Sequence, residues 1–468
     1  MSRPNNPSKV CVLGGGPAGY PAAFFAADLG MDVTLIDREA APGGVCLYRG
    51  CIPSKTLLHA AKVIHEARDG EKIGIHFPSP ELDLEKLRGF SRGVVNKLTG
   101  GLGVLAKKRK IRFLRGEGRI VDPHTLQVTG DIEQRVSFDH LIIATGSSPR
   151  AIPSFPESPF VWDSTAALAL PEIPARLLVV GAGYIGLELA TVYASLGSQV
   201  TIVEASPRIL SGADRDLVEQ LEPRLRSLVH ELLLSVKVEQ LSVHGDGLRA
   251  RLSGLDLERT ERDFDRALVA VGRKPVSEGI GLENTAVERD PQGFIKVDVQ
   301  RRTAEPNIFA IGDVAGEPML AHKATYEARI AVSAIAGQAS AYEPAAIPAV
   351  VFTDPELAWC GLTEEEARAR RIEHRVSKFP WAASGRAATM GRKDGLTKMI
   401  VEANTGRVLG VGICGAGAAE LIAEGVLAVE MGALIDDLQM VIHAHPTLSE
   451  TMLEAAELFH GSSAHYLG

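Results

Sequence analysis

The chain has 468 residues, 45% hydrophobic and 23% charged, which is enough for about three or four globular domains with their own cores. Its net charge of -8 disfavours nucleic acid or an anionic membrane as the main partner, because both select clustered positive charge. No apolar stretch reaches the roughly 20 residues that span a bilayer, and the polar segment 1–9 does not resemble a signal peptide. We therefore expect a protein of the reducing cytoplasm.

The first predicted element is a strand, turn, helix and second strand over residues 9–38. Gly14, Gly16 and Gly19 form a GxGxxG turn, and the second strand ends at Asp37. Such glycines allow a tight turn and let a pyrophosphate approach the helix N-terminus, while the terminal acid can hold a ribose hydroxyl. This segment predicts a dinucleotide site.

Two cysteines, Cys46 and Cys51, follow at the start of the next helix. The remaining cysteines, Cys11, Cys360 and Cys414, are scattered singly, so the chain has neither a disulfide framework nor a zinc site built from paired CxxC motifs. In a reducing compartment a persistent disulfide is more often catalytic than structural. A reduced cysteine also packs as a small hydrophobic residue, and the pair alone leaves both interpretations open.

The dinucleotide pattern recurs over residues 176–205, and in both copies the first glycine lies 23 residues before the terminal acid. The residues of the second copy are Gly181, Gly183, Gly186 and Glu204. The segments FDHLIIATG and FDRALVAVG, which end at Gly146 and Gly272, repeat as well. The sequence therefore predicts two dinucleotide sites. Glu204 favours NAD in the second site, because a carboxylate there repels the 2′-phosphate of NADP.

The remaining sequence predicts a short strand and then a domain of a different type. Residues 303–323 contain an apolar strand that ends in Gly312 and Asp313. Beyond about residue 346, strands and helices alternate without a new fingerprint, with a hairpin turn at Thr405-Gly406 and a charged helix from Glu364 to Arg371. This pattern indicates a separate α+β domain.

His445 and Glu450 are candidates for proton transfer. An imidazole titrates in the working pH range, and a carboxylate can orient the ring and stabilise its charged form. Taken alone, His443 and His445 are equally compatible with surface or core histidines. Neither belongs to an HExxH motif, so no metal site is predicted.

Together these motifs resemble the pyridine nucleotide-disulfide oxidoreductases, and within them the enzymes that oxidise dihydrolipoyl groups. The resemblance covers nearly the whole chain. The segments that carry it are GGGPAG, GGVCLYRGCIPSK, ATG, GAGYIGLE, IFAIGD, TDPELAWCGLTEEEA, PWAASGRA and HAHPTLSE. It implies an α/β fold with two Rossmann-like domains and a C-terminal α+β dimerisation domain. The implied limits are 1–149 for an FAD-binding domain, 150–275 for an NAD-binding domain, 276–345 for a central domain that completes the FAD site, and 346–468 for the dimerisation domain.

The resemblance implies FAD and NAD as cofactors and no metal. The residues that it places at FAD are Gly14, Gly16, Gly19, Asp37, Lys55, Gly118, Thr145, Gly146, Gly312, Asp313 and Ala321. Those that it places at NAD are Gly181, Gly183, Gly186, Glu188, Glu204, Val238 and Gly272. The family pattern also pairs Lys55 with Glu188.

The implied chemistry is NAD-dependent oxidation of dihydrolipoyl groups. Cys51 would pass electrons to the flavin, and Cys46 would form the mixed disulfide with the substrate. In the family the histidine equivalent to His445, oriented by Glu450, reaches the cysteines of the other subunit of a homodimer. The implied partners are the lipoyl domains of a 2-oxo acid dehydrogenase acyltransferase or the carrier protein of a glycine cleavage system.

Tyr48 and Arg49 depart from the family pattern, in which Asn and an aliphatic residue often stand between the cysteines. A guanidinium beside the thiols would stabilise a thiolate and raise the reduction potential, so Arg49→Ala is expected to lower it. Alternatively, the Arg49 side chain points into solvent.

Other functions remain open at this point. Glutathione and mercuric reductases are related, but Glu204 disfavours NADPH, and the segment GSSAHYLG has no cysteine pair. A flavin NADH diaphorase or transhydrogenase that never uses its thiols is a further alternative. So is a scaffold role in a multienzyme complex.

Overall fold

The computed structural model describes residues 7–131, 133–254, 257 and 260–467. Residues 1–6, which make up most of the polar N-terminal segment, lie outside these ranges. Gly468, at the end of GSSAHYLG, lies outside them as well. In the described ranges, no helix combines the length and the apolar composition needed to cross a bilayer.

The α-helices of the described residues are α1 (Gly19–Asp28), α2 (Gly44–Arg49), α3 (Cys51–Asp69), α4 (Leu84–Lys108), α5 (Ser164–Leu168), α6 (Tyr184–Leu196), α7 (Arg215–Leu228), α8 (Ala321–Ile335), α9 (Glu364–Ala369), α10 (Gly385–Thr389), α11 (Ala418–Glu430), α12 (Ile435–Gln439) and α13 (Glu450–Leu458). Short 3₁₀ helices span Gly70–Ile73, Leu282–Asn284, Gly312–Ala315 and Trp381–Ala383.

The strands are β1 (Lys9–Leu13), β2 (Asp32–Asp37), β3 (Arg112–Asp122), β4 (Thr125–Gly130), β5 (Gln134–Ser137), β6 (His140–Ile143), β7 (Ser147–Pro149), β8 (Val161–Trp162), β9 (Arg176–Val180), β10 (Gln199–Glu204), β11 (Glu231–Leu234), β12 (Val236–His244), β13 (Gly247–Gly254), β14 (Glu261–Phe264), β15 (Arg266–Val269), β16 (Arg273–Pro275), β17 (Ile308–Ala310), β18 (Ala349–Val351), β19 (Glu356–Gly361), β20 (His374–Pro380), β21 (Leu396–Glu402) and β22 (Val408–Gly415).

The described residues form two compact units. The first comprises the described part of Met1–Thr56 together with Asp83–Arg150 and Gly272–Glu343. The second comprises the described parts of Leu57–Leu82, Ala151–Val271 and Pro344–Gly468. The predicted α/β class is correct, whereas the domain limits near 149, 275 and 345 stay predictions.

The first unit is built on a sheet with the strand order β17-β6-β1-β2-β3-β4-β5. Its first five strands are parallel, and Val12 of β1 lies between Leu35 of β2 and Ile142 of β6. Four of them, β17, β6, β1 and β2, are short and mostly buried apolar runs, as is typical of parallel sheets covered by helices, whereas β3 is longer and half-exposed. Apolar side chains of α1 and α8 form part of the core on one face.

The second unit contains a parallel sheet of order β11-β10-β9-β15-β8 that repeats this plan. In each unit, the strand before the glycine turn lies between the strand that ends in an acid and the strand of the repeated FD motif. The unit also holds the antiparallel sheets β12-β13-β14 and β18-β19-β22-β21-β20. The predicted duplication and the predicted α+β segment are therefore both present.

Local signals in the C-terminal segment act as expected. Strands β21 and β22 pair as an antiparallel hairpin around Gly406, whose φ is +74°. Helix α9 begins after Thr363, which forms a capping box with Glu366. The helix ends two residues before Arg371, which has a φ of +56°. A left-handed residue cannot continue a right-handed helix.

Candidate dinucleotide sites and cysteine pair

The glycine turn between β1 and α1 is too tight for side chains at two positions. Gly14 has a φ of +105°, and a Cβ atom there would lie 2.3 Å from the carbonyl oxygen of Ala144. A Cβ atom on Gly19 would lie 1.7 Å from the carbonyl oxygen of Gly14. At Gly16 the nearest atom, Cα of Gly44, is 3.8 Å away. The middle glycine thus leaves space at the N-terminus of α1, which suits a pyrophosphate.

Asp37 ends β2 beside this turn. Its carboxylate accepts hydrogen bonds from the Gly15 N–H at 2.5 Å and from the Glu39 N–H at 2.8 Å. Burial raises the pKa of Asp37, and the Gly15 N–H works against that rise. The predicted ribose-binding carboxylate is therefore held in place by the turn itself.

The glycine turn of the second unit has the same close contacts and hydrogen bonds at the equivalent positions. Gly181 has a φ of +103°, and its Cβ atom would lie 2.6 Å from the Ala270 carbonyl oxygen. A Cβ atom on Gly186 would lie 2.1 Å from the Gly181 carbonyl oxygen, whereas Gly183 has no heavy atom within 4 Å of that position among the described residues. Glu204 accepts hydrogen bonds from Ala182 N–H at 2.7 Å and from Ser206 N–H at 2.8 Å. Both turns therefore fit the dinucleotides predicted for them.

The cysteine pair lies against the first of these turns. Cys46 is in α2 and Cys51 is the first residue of α3, and both are thiols in this structure. The Gly43 N–H, which precedes α2, donates to the Gly15 carbonyl oxygen at 2.8 Å. This hydrogen bond therefore holds the helix of Cys46 against the glycine turn that is predicted to bind FAD.

The two thiols differ in their surroundings. A hydrogen bond with Cys51 raises the pKa of Cys46, burial raises it further, and the positive charge of Lys55 works against both. Tyr20 lies in the first turn of α1. Burial raises its pKa, and the charges of Cys46 and Cys51 raise it further, which puts Tyr20 near the same two sulfurs. Tyr20 was not predicted, although it directly follows the last fingerprint glycine.

A polar chain holds Asp313 near the end of β6. Thr145 donates to the Val276 carbonyl oxygen at 2.6 Å. The Ser147 hydroxyl donates to the Asp313 carboxylate and accepts from Arg273 Nε at 2.7 Å. Ser147 and Arg273 were not predicted. They lie in β7 and β16, just after Gly146 and Gly272, so the repeated ATG and AVG segments were the available signal.

The turn at Gly312 is anchored by a buried carboxylate. Glu327 is 0% exposed and accepts a hydrogen bond from the Gly312 N–H at 2.6 Å. Lys323 and Arg301 approach its other oxygen at 3.3 and 3.1 Å. These three charged residues were also missed, although a lysine and a glutamate four residues apart are a common helical ion pair. Ala321 begins the same helix, α8.

Three other residues predicted to contact cofactors lie within strands and a helix. Gly118 lies in β3, where a Cβ atom would be 2.6 Å from Leu13 Cδ1. Val238 lies in β12 at a break in register between Val238 and Gln240. Glu188 is buried in α6 and accepts the Phe352 N–H at 3.1 Å. The predicted pairing of Lys55 with Glu188 stays a prediction.

The two candidate histidines are now distinguishable. His443 has a buried ring whose Nε2 lies 2.8 Å from Glu424 Oε1. The His445 side chain is 73% exposed, and its Nδ1 lies 2.8 Å from Glu450 Oε1. Exposure and a carboxylate partner on one nitrogen suit His445 for proton transfer through the other nitrogen.

Glu450 is the first residue of α13 and stays anionic. Its second oxygen accepts the Thr447 N–H at 2.7 Å. Burial raises the pKa of Glu450, but the Thr447 N–H and the His445 ring outweigh burial and hold it below the usual range.

Tyr48 and Arg49 both contact the segment that precedes α2, and the Arg49 side chain stays 36% exposed. The Tyr48 hydroxyl donates to the Ala41 carbonyl oxygen at 3.0 Å, and the Arg49 guanidinium pairs with the Glu39 carboxylate. No metal-binding group of three or more His, Cys, Asp or Glu side chains occurs within the described ranges.

Comparisons with known proteins cover nearly the whole chain. Residues 8–328 match the model of pyridine nucleotide-disulphide oxidoreductases, and residues 347–456 match the dimerisation domain of the same family. The dihydrolipoyl dehydrogenase of Vibrio cholerae is 46% identical over 457 residues, covering 97% of this chain and 96% of the relative. That of Thermus scotoductus is 46% identical over 460 residues, covering 98% of each chain.

Two solved structures are also similar. LpdA from Mycobacterium tuberculosis aligns with a TM-score of 0.90 at 26% identity, covering 97% of this chain and 99% of that one. The HOCl-induced flavoprotein disulfide reductase RclA from Escherichia coli aligns with a TM-score of 0.85 at 29% identity, covering 96% of this chain and 99% of that one. The two fingerprint turns, the adjacent thiols and these matches show that the chain belongs to the pyridine nucleotide-disulphide oxidoreductase family.

Proposed function

We propose that the protein is a dihydrolipoyl dehydrogenase, which oxidises dihydrolipoyl groups and reduces NAD. The observation that carries this proposal is the attachment of the Cys46 helix to the first fingerprint turn, through the Gly43 N–H and the Gly15 carbonyl oxygen. The relatives named dihydrolipoyl dehydrogenase support it. Glu204 supports NAD over NADP, because its carboxylate would face a 2′-phosphate with like charge.

The reaction begins with thiol exchange. His445 takes a proton from one substrate thiol, and the resulting thiolate attacks Cys46 of the oxidised Cys46-Cys51 disulfide of the partner subunit. The sulfur–sulfur bond breaks and Cys51 leaves as a thiolate. The second substrate thiol then attacks the substrate sulfur of the mixed disulfide and gives its proton to Cys46, so the bond to Cys46 breaks, the oxidised lipoyl group departs and both enzyme cysteines are reduced.

The surroundings of the two sulfurs suit these roles. A hydrogen bond with Cys51 and burial both raise the pKa of Cys46, which favours the proton on this sulfur in the reduced pair. Cys51 stands at the N-terminus of α3, where the helix dipole favours negative charge. When bound at the first turn, FAD would supply a two-electron acceptor between the cysteine pair and NAD. Anionic Glu450 stabilises the imidazolium that His445 becomes.

A homodimer is part of the proposal. Residues 347–456 match a dimerisation domain, and within the single chain Ile442, three residues before His445, is 97% exposed. A second copy would bury such apolar side chains and place His445 beside the cysteine pair of the partner subunit.

The proposed partners are lipoyl domains of a 2-oxo acid dehydrogenase acyltransferase or a glycine cleavage carrier protein. The proposed compartment is the cytoplasm, where a redox-active disulfide is more often catalytic than structural.

The proposal is tested by NAD reduction with dihydrolipoamide as the electron donor. We expect turnover by the wild type and a loss of about 1,000-fold or more in Cys46→Ser, because removing a covalent nucleophile leaves little catalysis. Cys360→Ala, a change in the buried core, is the matched control and should remain active.

Two outcomes would contradict the proposal. A flavin-loaded wild type that does not oxidise dihydrolipoamide excludes this substrate. Full activity in Cys46→Ser indicates a diaphorase or transhydrogenase that does not use its thiols.

A further inference from the structure

The two residues that depart from the family pattern both reach back to one loop. This loop, the β2–α2 loop, comprises residues 38–43. Tyr48 binds its middle through the Ala41 carbonyl oxygen at 3.0 Å. Arg49 binds its beginning through the Glu39 carboxylate. Both side chains come from the last turn of α2, the helix that also contains Cys46.

The same loop is bound to the first fingerprint turn at both ends. At its start, the Glu39 N–H donates to one oxygen of Asp37, whose other oxygen accepts the Gly15 N–H. At its end, the Gly43 N–H donates to the Gly15 carbonyl oxygen. Helix α2, the loop and the fingerprint turn therefore form one closed set of hydrogen bonds inside the first unit.

Charge makes Arg49 the central member of this set. The Glu39 backbone N–H donates to Asp37, so these two acidic residues are joined where a bound dinucleotide would bring its ribose and a negatively charged pyrophosphate. Burial raises the pKa of Asp37, and the Gly15 N–H, Arg38 and Arg49 oppose that rise. Without Arg49, the Glu39 carboxylate would lack its ion-pair partner and repel both Asp37 and the phosphates.

We propose that Arg49 is a positioning residue for the first dinucleotide: it neutralises Glu39 and holds the β2–α2 loop so that Asp37 remains available to the ribose of FAD. Its effect is on cofactor retention, and the reduction potential of the cysteines does not depend on it. The inference rests on the proposed function in one respect, namely that FAD occupies the first turn.

The structure favours retention over a redox effect. The guanidinium of Arg49 is already paired with Glu39. The positive charge that opposes the rise in the pKa of Cys46 is that of Lys55. A neutralised Arg49 contributes little field at the sulfurs, since a close ion pair acts at a distance only as a dipole.

The experiment is a double-mutant cycle, carried out on the holoenzyme and its apoprotein. Arg49→Ala, Glu39→Gln and the double variant are compared by titrating each apoprotein with FAD. The disulfide potential of each holoenzyme is measured in parallel. Because the Arg49–Glu39 pair is partly exposed, we expect Arg49→Ala to raise the Kd for FAD about fivefold. The double variant should return close to the wild-type Kd, because it removes the unpaired charge. All potentials should be unchanged.

Two further variants keep the test decisive. Arg49→Lys retains the charge and should bind FAD nearly as well as the wild type. Arg119→Ala, which breaks the exposed Arg119–Glu283 pair in the same unit, is the matched control and should not alter the Kd.

Three results would overturn the inference: an unchanged Kd in Arg49→Ala, a double variant as weak as Arg49→Ala, or a shifted disulfide potential in Arg49→Ala. A wild-type protein that binds no FAD would instead overturn the proposed function.

Discussion

Glu450 shows how one side chain sets the role of another. One of its oxygens faces Nδ1 of His445 and the other accepts the Thr447 N–H. Both neighbours can donate to a carboxylate, so the His445 ring carries its proton on Nδ1 and leaves Nε2 unprotonated. Nε2 is then the nitrogen that can accept a proton from a substrate thiol.

We expect Glu450→Gln to lower the rate at which dihydrolipoamide reduces NAD by about 100-fold or more. A glutamine has only one acceptor oxygen, which the Thr447 N–H requires, so its NH₂ group must face Nδ1 of His445. The ring must then accept on Nδ1 and carry its proton on Nε2. The measurement is kcat across pH, together with the flavin content, which should not change.

The matched control is Asp436→Asn. It alters another histidine–carboxylate pair, in which Asp436 lies 2.9 Å from His460 Nε2. We expect no comparable loss of turnover there. Equal losses in both variants would refute the special role of Glu450.

At the scale of elements, the second glycine turn contains one glycine that is needed for folding and another that leaves space for binding. Gly186 lets α6 pack against the end of β9, because a Cβ atom there would lie 2.1 Å from the Gly181 carbonyl oxygen. Gly183, at the N-terminal end of α6, has a φ of -75°, which alanine adopts without strain. The two positions therefore serve different purposes although both belong to one motif.

Gly183→Ala should leave the melting temperature unchanged and raise the KM for NAD on the order of tenfold, about 1.4 kcal/mol, because the new methyl group occupies the space kept for the pyrophosphate. Gly186→Ala should instead lower the stability by about 1–3 kcal/mol, as overpacking does. Thermal unfolding and NAD titration of each variant separate the two effects. A stable Gly186→Ala or a thermally weakened Gly183→Ala would show the assignment to be wrong.

At the scale of the molecule, the second unit is held together by a buried lysine. Lys398 of β21 is 1% exposed, and its Nζ lies 2.9 Å from Asp214, 3.0 Å from Asp216 and 2.8 Å from Glu364. These carboxylates flank the start of α7 and the start of α9. The lysine therefore links the helix that follows the second dinucleotide fold to the C-terminal sheet.

Lys398→Met should lower the free energy of unfolding by about 3–5 kcal/mol at pH 7, because it leaves buried Asp214 without its cation and takes one cation each from Asp216 and Glu364. Burial raises the pKa of Asp216 and Glu364, but Lys378 and Lys398 outweigh burial and depress both. The stability that these carboxylates confer is present above their unfolded pKa of about 4 and is lost as the pH falls through the folded values.

The deficit of Lys398→Met should therefore shrink below about pH 4, where the carboxylates take up protons. Urea unfolding at pH 7 and at lower pH measures it. The matched control, Lys393→Met, changes an exposed lysine near the same strand and should have little effect at either pH. A pH-independent deficit would indicate that lost packing, and not charge, explains the result.

Much of the fold could be predicted because its signals are local. The turns at Gly14 and Gly181 need positive φ angles, which glycine alone adopts without cost, so their positions can be read from the sequence. Apolar runs that end in Asp37 and Glu204 likewise predicted the strands β2 and β10. The pairings of Glu327 with Arg301 and of Ser147 with Asp313 could not be predicted, because each joins segments far apart in the chain.

The sequence by itself determined where the backbone turns, which strands are buried, that the chain holds two dinucleotide folds and that one cysteine pair follows the first glycine turn. Backbone sterics and hydrophobic periodicity act over a few residues and therefore remain visible in the linear order. Only the tertiary structure decided which charges neutralise one another. Arg49 pairs with Glu39 of the preceding loop, because the chain folds back there. Lys398 pairs with Asp214 because folding brings distant elements within a few ångströms, where burial makes an uncompensated charge costly.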